Sequence, residues 1–518
     1  MVHIEKVILQ NYKRFKTFTV SFLPDINLLI GDNEAGKSSI LNAIDIVASG
    51  SKTKVETIGL ESLFNSEVIE SFLSSNKNYE DMPKLFIEIY LSDQKDPDLN
   101  GISNSTGALC DGLRMSCEPN DSLSKEIKDI LSQPDTIFPF EYYTISFKTF
   151  SGESFTGYRK YLKQILIDNS QINNEYATRE YVKAMYHSNI KDVEKHRHKN
   201  EYRKVKDGFK SSVLGELNNR LNDYAFGVRN TNKANLETDL MLTEANINIE
   251  NKGKGRQCFI KTEFALNKNS KNIDAILLEE PENHLSHINM KKLISRIQES
   301  SGKQLLITTH SNMISTRLDL RNSILLNSNS SVAIHLTSLP GDTARFFMKA
   351  PDNNIMEFIL SKKVILVEGD AEYILMEAFF EQDGKKLEDC DVHIISVGGT
   401  SFKRYLDLAR LLKIKTAVVR DNDKDHQSTC VEAYAEYIST NVKVFFDTDD
   451  SRSTFEVCLY QDNEKTCEDL FSAGRKKLTV QEYMLKNKAD VAFKLLEQDR
   501  AIVMAPDYIK SAIKWIKE

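Results

Sequence analysis

Apolar residues fall along this chain in short, separate runs. Residues 4–10 and 18–22 read as two strands joined through the turn Asn11-Tyr12-Lys13-Arg14-Phe15. Residues 26–30 are a short, mostly apolar run of the kind a sheet buries on both faces. Residues 39–48 then read as a helix, and 84–91 as another strand. Residues 92–122 are polar and rich in turn formers, which predicts a surface excursion. From about 155 to 240 the pattern is mostly helical and heavily charged. Strand-like runs return at 275–278 and 304–308. Beyond Lys362, strands at 364–367, 392–397 and 416–419 alternate with helices starting at Tyr373 and Phe402. That rhythm predicts a small parallel α/β domain.

At 518 residues the chain is too long for one core, so two or three domains are expected. Composition is that of an ordinary globular protein, with 41% hydrophobic and 28% charged residues. No run approaches the roughly 20 apolar residues of a membrane span, and the first residues lack a signal peptide's apolar stretch. A cytoplasmic protein with no membrane partner is expected. The seven cysteines show no metal-ligand spacing and read as reduced thiols. The net charge of -7 argues against a general polyanion binder but leaves room for a local basic face. One such face is the stretch 191–210, which includes Lys195, Arg197, Lys199, Arg203, Lys204 and Lys206. It reads as a solvated helix face, a dimerisation arm or a phosphate-contacting patch.

Gly31-Asp32-Asn33-Glu34-Ala35-Gly36-Lys37-Ser38 fits the phosphate-loop pattern G-x-x-x-x-G-K-[ST] throughout. The glycines let the backbone wrap around phosphate, and loop N–H groups at the helix N-terminus donate to it. Lys37 is expected to reach the β- and γ-phosphates, and Ser38 to ligate Mg²⁺. Far downstream, the apolar run 275–278 ends in Glu279 and Glu280. A strand tipped by two acids suits the metal side of a nucleotide site. A third strand ends in Thr308-Thr309-His310.

These three pieces resemble the SMC-like group of ABC-type ATPases. The resemblance implies ATP as cofactor, with contacts from Asn33, Gly36, Lys37, Ser38, Ser39 and Glu279. It makes Glu279 the metal-side acid, Glu280 the catalytic acid and His310 the sensor of the γ-phosphate. A signature loop closing on a second subunit's ATP is expected at 251–257, which is Gly-rich but lacks Ser-Gly-Gly.

The last third carries a second acidic set. Glu368 stands at a strand end, and Glu372 follows four residues later, so that both can point to one spot. Asp421 and Asp423 end another strand at i and i+2, on one side of extended backbone. Clustered carboxylates repel unless a cation neutralises them, and hard oxygen ligands favour Mg²⁺ or Mn²⁺. Phosphodiester cleavage suits such a cluster. The residues resemble the Toprim domain, with a glutamate after the first strand and Asp-x-Asp after a later one. The turn Gly398-Gly399-Thr400 fits as well.

An ABC-type head followed by a Toprim domain resembles the OLD (overcoming lysogenization defect) family, which includes the nuclease of the Gabija defence system. The implied fold class is α/β: an ABC-type P-loop ATPase head with a helical insertion, then a C-terminal Toprim α/β domain. The expected domains are an ATPase at 1–154 and 241–355, an insertion and dimerisation arm at 155–240, and Toprim at 361–518. By resemblance Glu456 of Thr454-Phe455-Glu456 joins the metal ligands, and Lys488 stabilises the phosphate in flight. Two Mg²⁺ or Mn²⁺ ions held by Glu368, Glu372, Asp421, Asp423 and Glu456 are implied. So are DNA as substrate, a homodimer or higher homo-oligomer, and a co-encoded defence partner, either a helicase-like protein or a retron reverse transcriptase with its RNA/DNA. No tyrosine nucleophile of the kind a topoisomerase uses is indicated. The rival functions are an ATP-dependent DNA-binding regulator and a DNA-repair ATPase. The full acid set after Lys362 speaks against both.

Overall fold

The strand β1 (Ile4–Tyr12) buries Ile4, Val7, Leu9 and Tyr12, and β2 (Phe15–Ser21) buries Phe15, Phe18 and Val20. Between them the chain turns at Lys13, whose φ is 48°. The computed structural model describes residues 2–518 apart from 94, 134, 158–159, 169–174, 223, 230–234, 267–272, 301, 328–331, 351–353, 383, 400, 474–476 and 499–502. The chain divides into two compact units. The first is Met1–His310 with Asn322–Ile334, and the second is Ser311–Arg321 with His335–Glu518.

The first unit holds two main sheets. After β3 (Ile26–Gly31) come β4 (Leu85–Leu91), β5 (Cys110–Pro119) and β6 (Tyr143–Thr149). Strands β2-β1-β4-β5-β6 lie side by side and antiparallel. The second sheet adds β7 (Gln164–Asp168), β8 (Ala275–Glu279), β9 (Gln304–Thr308) and β10 (Ser323–Leu326). Its order is β10-β3-β9-β8-β7, with every one of these pairings parallel. The helix α1 (Lys37–Ser49) touches both sheets, and nine of its 13 residues are buried. A helix with that much apolar surface must be covered on more than one side.

The expected surface excursion at 92–122 is corrected here. Its second half is β5, which pairs on one side with β4 and on the other with β6. Leu113, Met115 and Cys117 alternate into the core, but Asp111, Gly112, Arg114 and Ser116 between them mask the period. β7 likewise lies inside the stretch that reads as helical.

The charged stretch itself forms α2 (Glu175–Asn189) and α3 (Asp192–Asn218). Glu237 ties them together, 2.7 Å from Lys199 and 3.4 Å from His187. On α3, Val205, Phe209, Val213 and Leu217 repeat every fourth residue, and all are exposed. Further on come α4 (Lys254–Leu266) and α5 (His287–Glu299).

The second unit is built on β11 (Lys363–Val367), β12 (Val392–Ser396), β13 (Lys415–Val419) and β14 (Val442–Phe445). Their order is β12-β11-β13-β14, all parallel. Near-continuous burial of Val364 to Val367 and Thr416 to Val419 is what helices on both faces require. Those helices include α6 (Asp370–Glu381), α7 (Phe402–Leu412), α8 (Phe455–Asp462), α9 (Val480–Lys486), α10 (Lys488–Leu496) and α11 (Asp507–Lys517). Open parallel sheets place their sites at the carboxyl ends of the strands. Here those ends carry Glu368 and Asp421. Residues 335–350 belong to this second unit, although the sequence groups them with the first.

Candidate functional site

Each unit carries a candidate site. In the first, the phosphate loop joins β3 to α1. Gly36 caps α1 with φ 93°, and a Cβ there would stand 2.3 Å from the ring of Phe15. Only glycine meets both demands. Lys37 is buried, and its Nζ donates to the carbonyl oxygens of Gly31 at 2.7 Å and Asp32 at 2.8 Å. Burial lowers the pKa of its ammonium, against the pull of Glu280, Asp32, Glu282 and Glu279. Asn33 is exposed on the loop, while Ser38 and Ser39 are half-buried at the start of α1.

Glu279 ends β8 and shares a hydrogen bond with Ser38. Burial raises its pKa, and the neighbouring Asp168 and Glu280 raise it further. Glu280 has φ 43°, and its N–H donates to Thr308 O at 3.1 Å. Asn283 Nδ2 donates to Glu280 Oε2 at 2.8 Å, and His310 Nε2 lies 3.6 Å from Glu280 Oε1. Burial, and then Lys37, hold the imidazole below its usual pKa. Glu282 fixes the strand end that carries His310. Its Oε1 accepts from Thr309 Oγ1 and from the His310 N–H, both at 2.7 Å. The Gly-rich stretch 251–257 runs into α4. Its Lys252 and Arg256 are paired with Glu244.

In the second unit, Glu368 follows β11, and Glu372 lies in the first turn of α6. A Cβ on Gly369 between them would stand 3.5 Å from Glu372 Oε2. The N–H of Gly399 donates to Glu368 O at 2.9 Å, so the Gly398-Gly399 turn holds this corner. Thr400 lies outside the described residues. Asp421 Oδ1 accepts from the Phe455 N–H at 2.8 Å, which brings in α8 and Glu456. Lys488, at the start of α10, stands 3.0 Å from Glu456 Oε2.

Glu372, Asp421 and Glu456 are all buried, and their charges act on one another. Burial, then Glu456 and Glu368, pushes the Glu372 carboxyl up to about 7. Burial, then Glu372, Glu368 and Glu456, pushes Asp421 up to about 8. Glu368 is raised as well, by burial first and against the pull of Arg420. Burial pulls the Lys488 ammonium down, but Glu456, Asp421 and Glu372 hold it above its ordinary value.

Among the described residues no three His, Cys, Asp or Glu side chains are grouped tightly enough to ligate an ion as they stand. The donor set still fits a hard divalent cation. Every donor is a carboxylate, Glu368 Oε2 is buried without a hydrogen-bond partner, and the raised carboxyls carry repulsion that a cation relieves.

Residues 359–423 match the model for "Overcoming lysogenization defect protein-like, TOPRIM domain". Residues 3–261, half the chain, match that for "AAA ATPase domain". The first half of the chain is an AAA ATPase domain, and an OLD-like Toprim domain follows in the last third. The fold is an ABC-type P-loop ATPase with a helical insertion, followed by a Toprim domain, and these two domains imply use of a nucleotide and of divalent metal. Endonuclease GajA of Bacillus cereus (strain VD045) is 28% identical over 150 residues, 28% of this chain and 26% of that protein. The replication and repair protein RecF of Bifidobacterium longum subsp. infantis is 29% identical over 56 residues, 11% of this chain and 14% of that protein. The match thus spans about a quarter or less of these curated relatives. Among solved structures, the C-terminal region of the Burkholderia pseudomallei OLD protein covers 30% of this chain and 98% of its own, at 21% identity and a TM-score of 0.27. The SMC head domain from Thermotoga maritima covers 64% of this chain and 97% of its own, at 12% identity and a TM-score of 0.29.

Several residues of the two sites carry no sequence motif. Asp168 is the register partner of Glu279 across β7 and β8, which adds a third acid to the nucleotide side. Its signal is an apolar strand ending in an acid, hidden in the charged stretch. Arg14 bonds the carbonyl of Glu34 on the phosphate loop. Two tyrosines stand near the Toprim acids. Tyr434 bonds Arg420, and Tyr508 is enclosed close enough to feel Asp421, Glu372 and Glu456. Burial and those charges raise the Tyr508 hydroxyl well above its usual value, so it stays protonated.

Proposed function

We propose that this chain is an ATP-regulated, metal-dependent DNA endonuclease of bacterial anti-phage defence, working in the cytoplasm. The observation that carries this reading is the convergence of Glu368, Glu372, Asp421 and Glu456 from four segments beside Lys488. Buried carboxylates that repel one another are an arrangement folding alone does not favour, and such groups collect at sites of chemistry.

Glu368, Glu372, Asp421, Asp423 and Glu456 would hold divalent metal. When bound, such a cation supplies a water of lowered pKa and a Lewis acid for phosphate oxygens. Lys488 is half-exposed and faces the acids, so it can reach the phosphate and meet the charge that develops on the leaving oxygen. In the other unit, Lys37 would hold the β- and γ-phosphates of ATP and Ser38 its Mg²⁺. With ATP bound, Glu279 would serve the metal side of the site, Glu280 would act as the general base and His310 would sense the γ-phosphate. The exposed stripe Val205, Phe209, Val213 and Leu217 on α3 supports pairing of two copies through the helical arm, since apolar repeats along one helix face bury against a partner. Among the described residues no helix is long and apolar enough to cross a membrane. A co-encoded protein or a retron's reverse transcriptase with its nucleic acid is the expected defence partner.

The test is a nicking assay. Purified protein is incubated with supercoiled plasmid and phage DNA in Mg²⁺ or Mn²⁺, with and without ATP, beside Lys37→Ala. Metal-dependent nicking that chelator abolishes is expected, with its rate set by ATP in the wild type and indifferent to ATP in Lys37→Ala. No nicking under any condition, alone or with a co-encoded partner, would leave the DNA-binding regulator as the better reading.

A further inference from the structure

Each residue of the Asp-x-Asp segment after β13 is bonded to the stretch 447–455 that returns from β14. Asp421 uses its side chain, which accepts the Phe455 N–H at 2.8 Å. Asp423 uses its backbone N–H, which donates to Ser453 O at 3.2 Å. Asn422 stands between these two acids and is only 1% exposed. Its Nδ2 donates to Asp447 O at 2.8 Å and to Asp449 O at 2.9 Å, with Arg452 O further off at 3.4 Å. Its Oδ1 accepts the Lys424 N–H at 3.0 Å. Both ends of the amide are therefore engaged.

A side-chain amide carries two N–H donors on one nitrogen, where a hydroxyl has one and a carboxylate none. Here the two donors meet two carbonyls on one loop. That loop leads into α8. Its Arg452 donates through Nε to Asp447 Oδ2 at 2.7 Å, and through Nη2 to the Asp462 oxygens at 3.0 and 2.8 Å. The loop is thus tied to the far end of α8. Thr454 caps the near end, accepting the Val457 N–H at 3.4 Å. Buried Glu456, in the first turn of α8, is therefore placed by a loop that Asn422 fixes from beneath. At the surface, His426 Nδ1 stands 3.0 Å from Asp450 Oδ1 and joins the same two stretches.

We propose that Asn422 is a positioning residue of the Toprim centre. Its amide sets the loop that delivers Glu456, so that Glu456, Asp421 and Asp423 form one preassembled metal-binding piece. The inference rests on reading that centre as metal-dependent. Asn422 acts through the ligands it orients, as groups behind a metal's own ligands do.

The experiment measures Mn²⁺ binding to the full, nucleotide-free chain, with free Mn²⁺ read by electron paramagnetic resonance. No DNA is present, so the readout is binding and not cutting. Asp421→Ala identifies the binding that belongs to the Toprim centre. Asn422→Ala is expected to weaken that binding by about 10- to 100-fold. Asn422→Ser, which keeps one donor, is expected to lose less. Asn463 supplies the control. It is another buried asparagine, at the opposite end of α8, and its Nδ2 donates to Leu459 O and Met504 O, both at 2.9 Å. Asn463→Ala is expected to lower the melting temperature and leave the Mn²⁺ affinity unchanged. Glu456→Gln is expected to weaken Mn²⁺ binding by itself. Adding Asn422→Ala to it should cost little more, because the ligand that Asn422 places is already lost. Unchanged Mn²⁺ affinity in Asn422→Ala would overturn the proposal and leave the metal-dependent reading intact. Equal losses in Asn422→Ala and Asn463→Ala would do the same, as would no loss in Glu456→Gln or additive losses in the double variant. No Asp421-dependent binding in the wild type would overturn both. Asn422→Ser carries the same comparisons where Asn422→Ala does not fold.

Discussion

Replacing Asp421 with asparagine is expected to reduce DNA nicking by roughly 10³-fold, matching the several kcal/mol that a ligated cation contributes to such a step. Asparagine is the informative substitution because of what Asp421 already does. Its Oδ1 accepts the N–H of Phe455 at 2.8 Å and so anchors the start of α8, which carries Glu456. An amide oxygen accepts the same bond, so the frame of the site survives. What is lost is the carboxyl that would ionise to hold a cation, beside Glu372, Glu368 and Glu456. Like charges held together in a buried site destabilise the fold. The melting temperature of the metal-free variant is therefore expected to stay level or to rise while nicking falls. ATP turnover, which belongs to the other unit, should be unchanged. Three measurements check this: plasmid nicking in Mn²⁺, thermal unfolding in chelator, and phosphate release. Nicking within threefold of the wild type would move the active site elsewhere. A melting temperature many degrees lower would mean that Asp421 serves the fold and not the chemistry.

The phosphate loop was legible because its chemistry is local. Glycines, Lys37 and Ser38 must be close in sequence to surround one phosphate, and the strand before and helix after are equally local. The Toprim acids were legible for a similar reason, since a strand end delivers its acids within a few residues. Glu456 and Lys488 could be placed only through the family resemblance, because a lone glutamate and a lone lysine carry no period or spacing of their own. Asp168 was lost because its role depends on which strand lies beside β8, a pairing that spans more than 100 residues of sequence. β5 was lost because its inward residues include Met115 and Cys117, and the intervening Asp111 and Gly112 are also buried. Two-residue alternation fails as a guide where both faces are covered. Arg420 reads as an ordinary strand-end arginine until Tyr434, distant by a turn-rich stretch, is folded back on it.

At the nucleotide site, Glu280→Gln is expected to lower ATP turnover by about 10² to 10⁴-fold, the usual contribution of a positioned general base, while ATP binding is kept. Glu280 is pinned by Asn283 at 2.8 Å through Oε2, and glutamine can still accept that bond. Its Oε1 faces His310 at 3.6 Å, and His310 is held by Glu282 through its own backbone. The substitution therefore removes the base without moving its neighbours. Lys37→Ala acts differently. It deletes a buried cation that four acids surround, and it is expected to abolish ATP binding itself. The pair separates two roles of ATP. If the bound nucleotide is what controls the Toprim centre, Glu280→Gln should hold nicking at the level the wild type shows with ATP freshly bound, and Lys37→Ala at the level without ATP. If turnover is what controls it, both variants should behave as the ATP-free protein. Phosphate release and affinity for a fluorescent ATP analogue establish the biochemical state of each variant, and plasmid nicking reads the consequence. Identical nicking with and without ATP in the wild type would remove ATP control from the proposal and leave the nuclease reading standing on the Toprim acids alone.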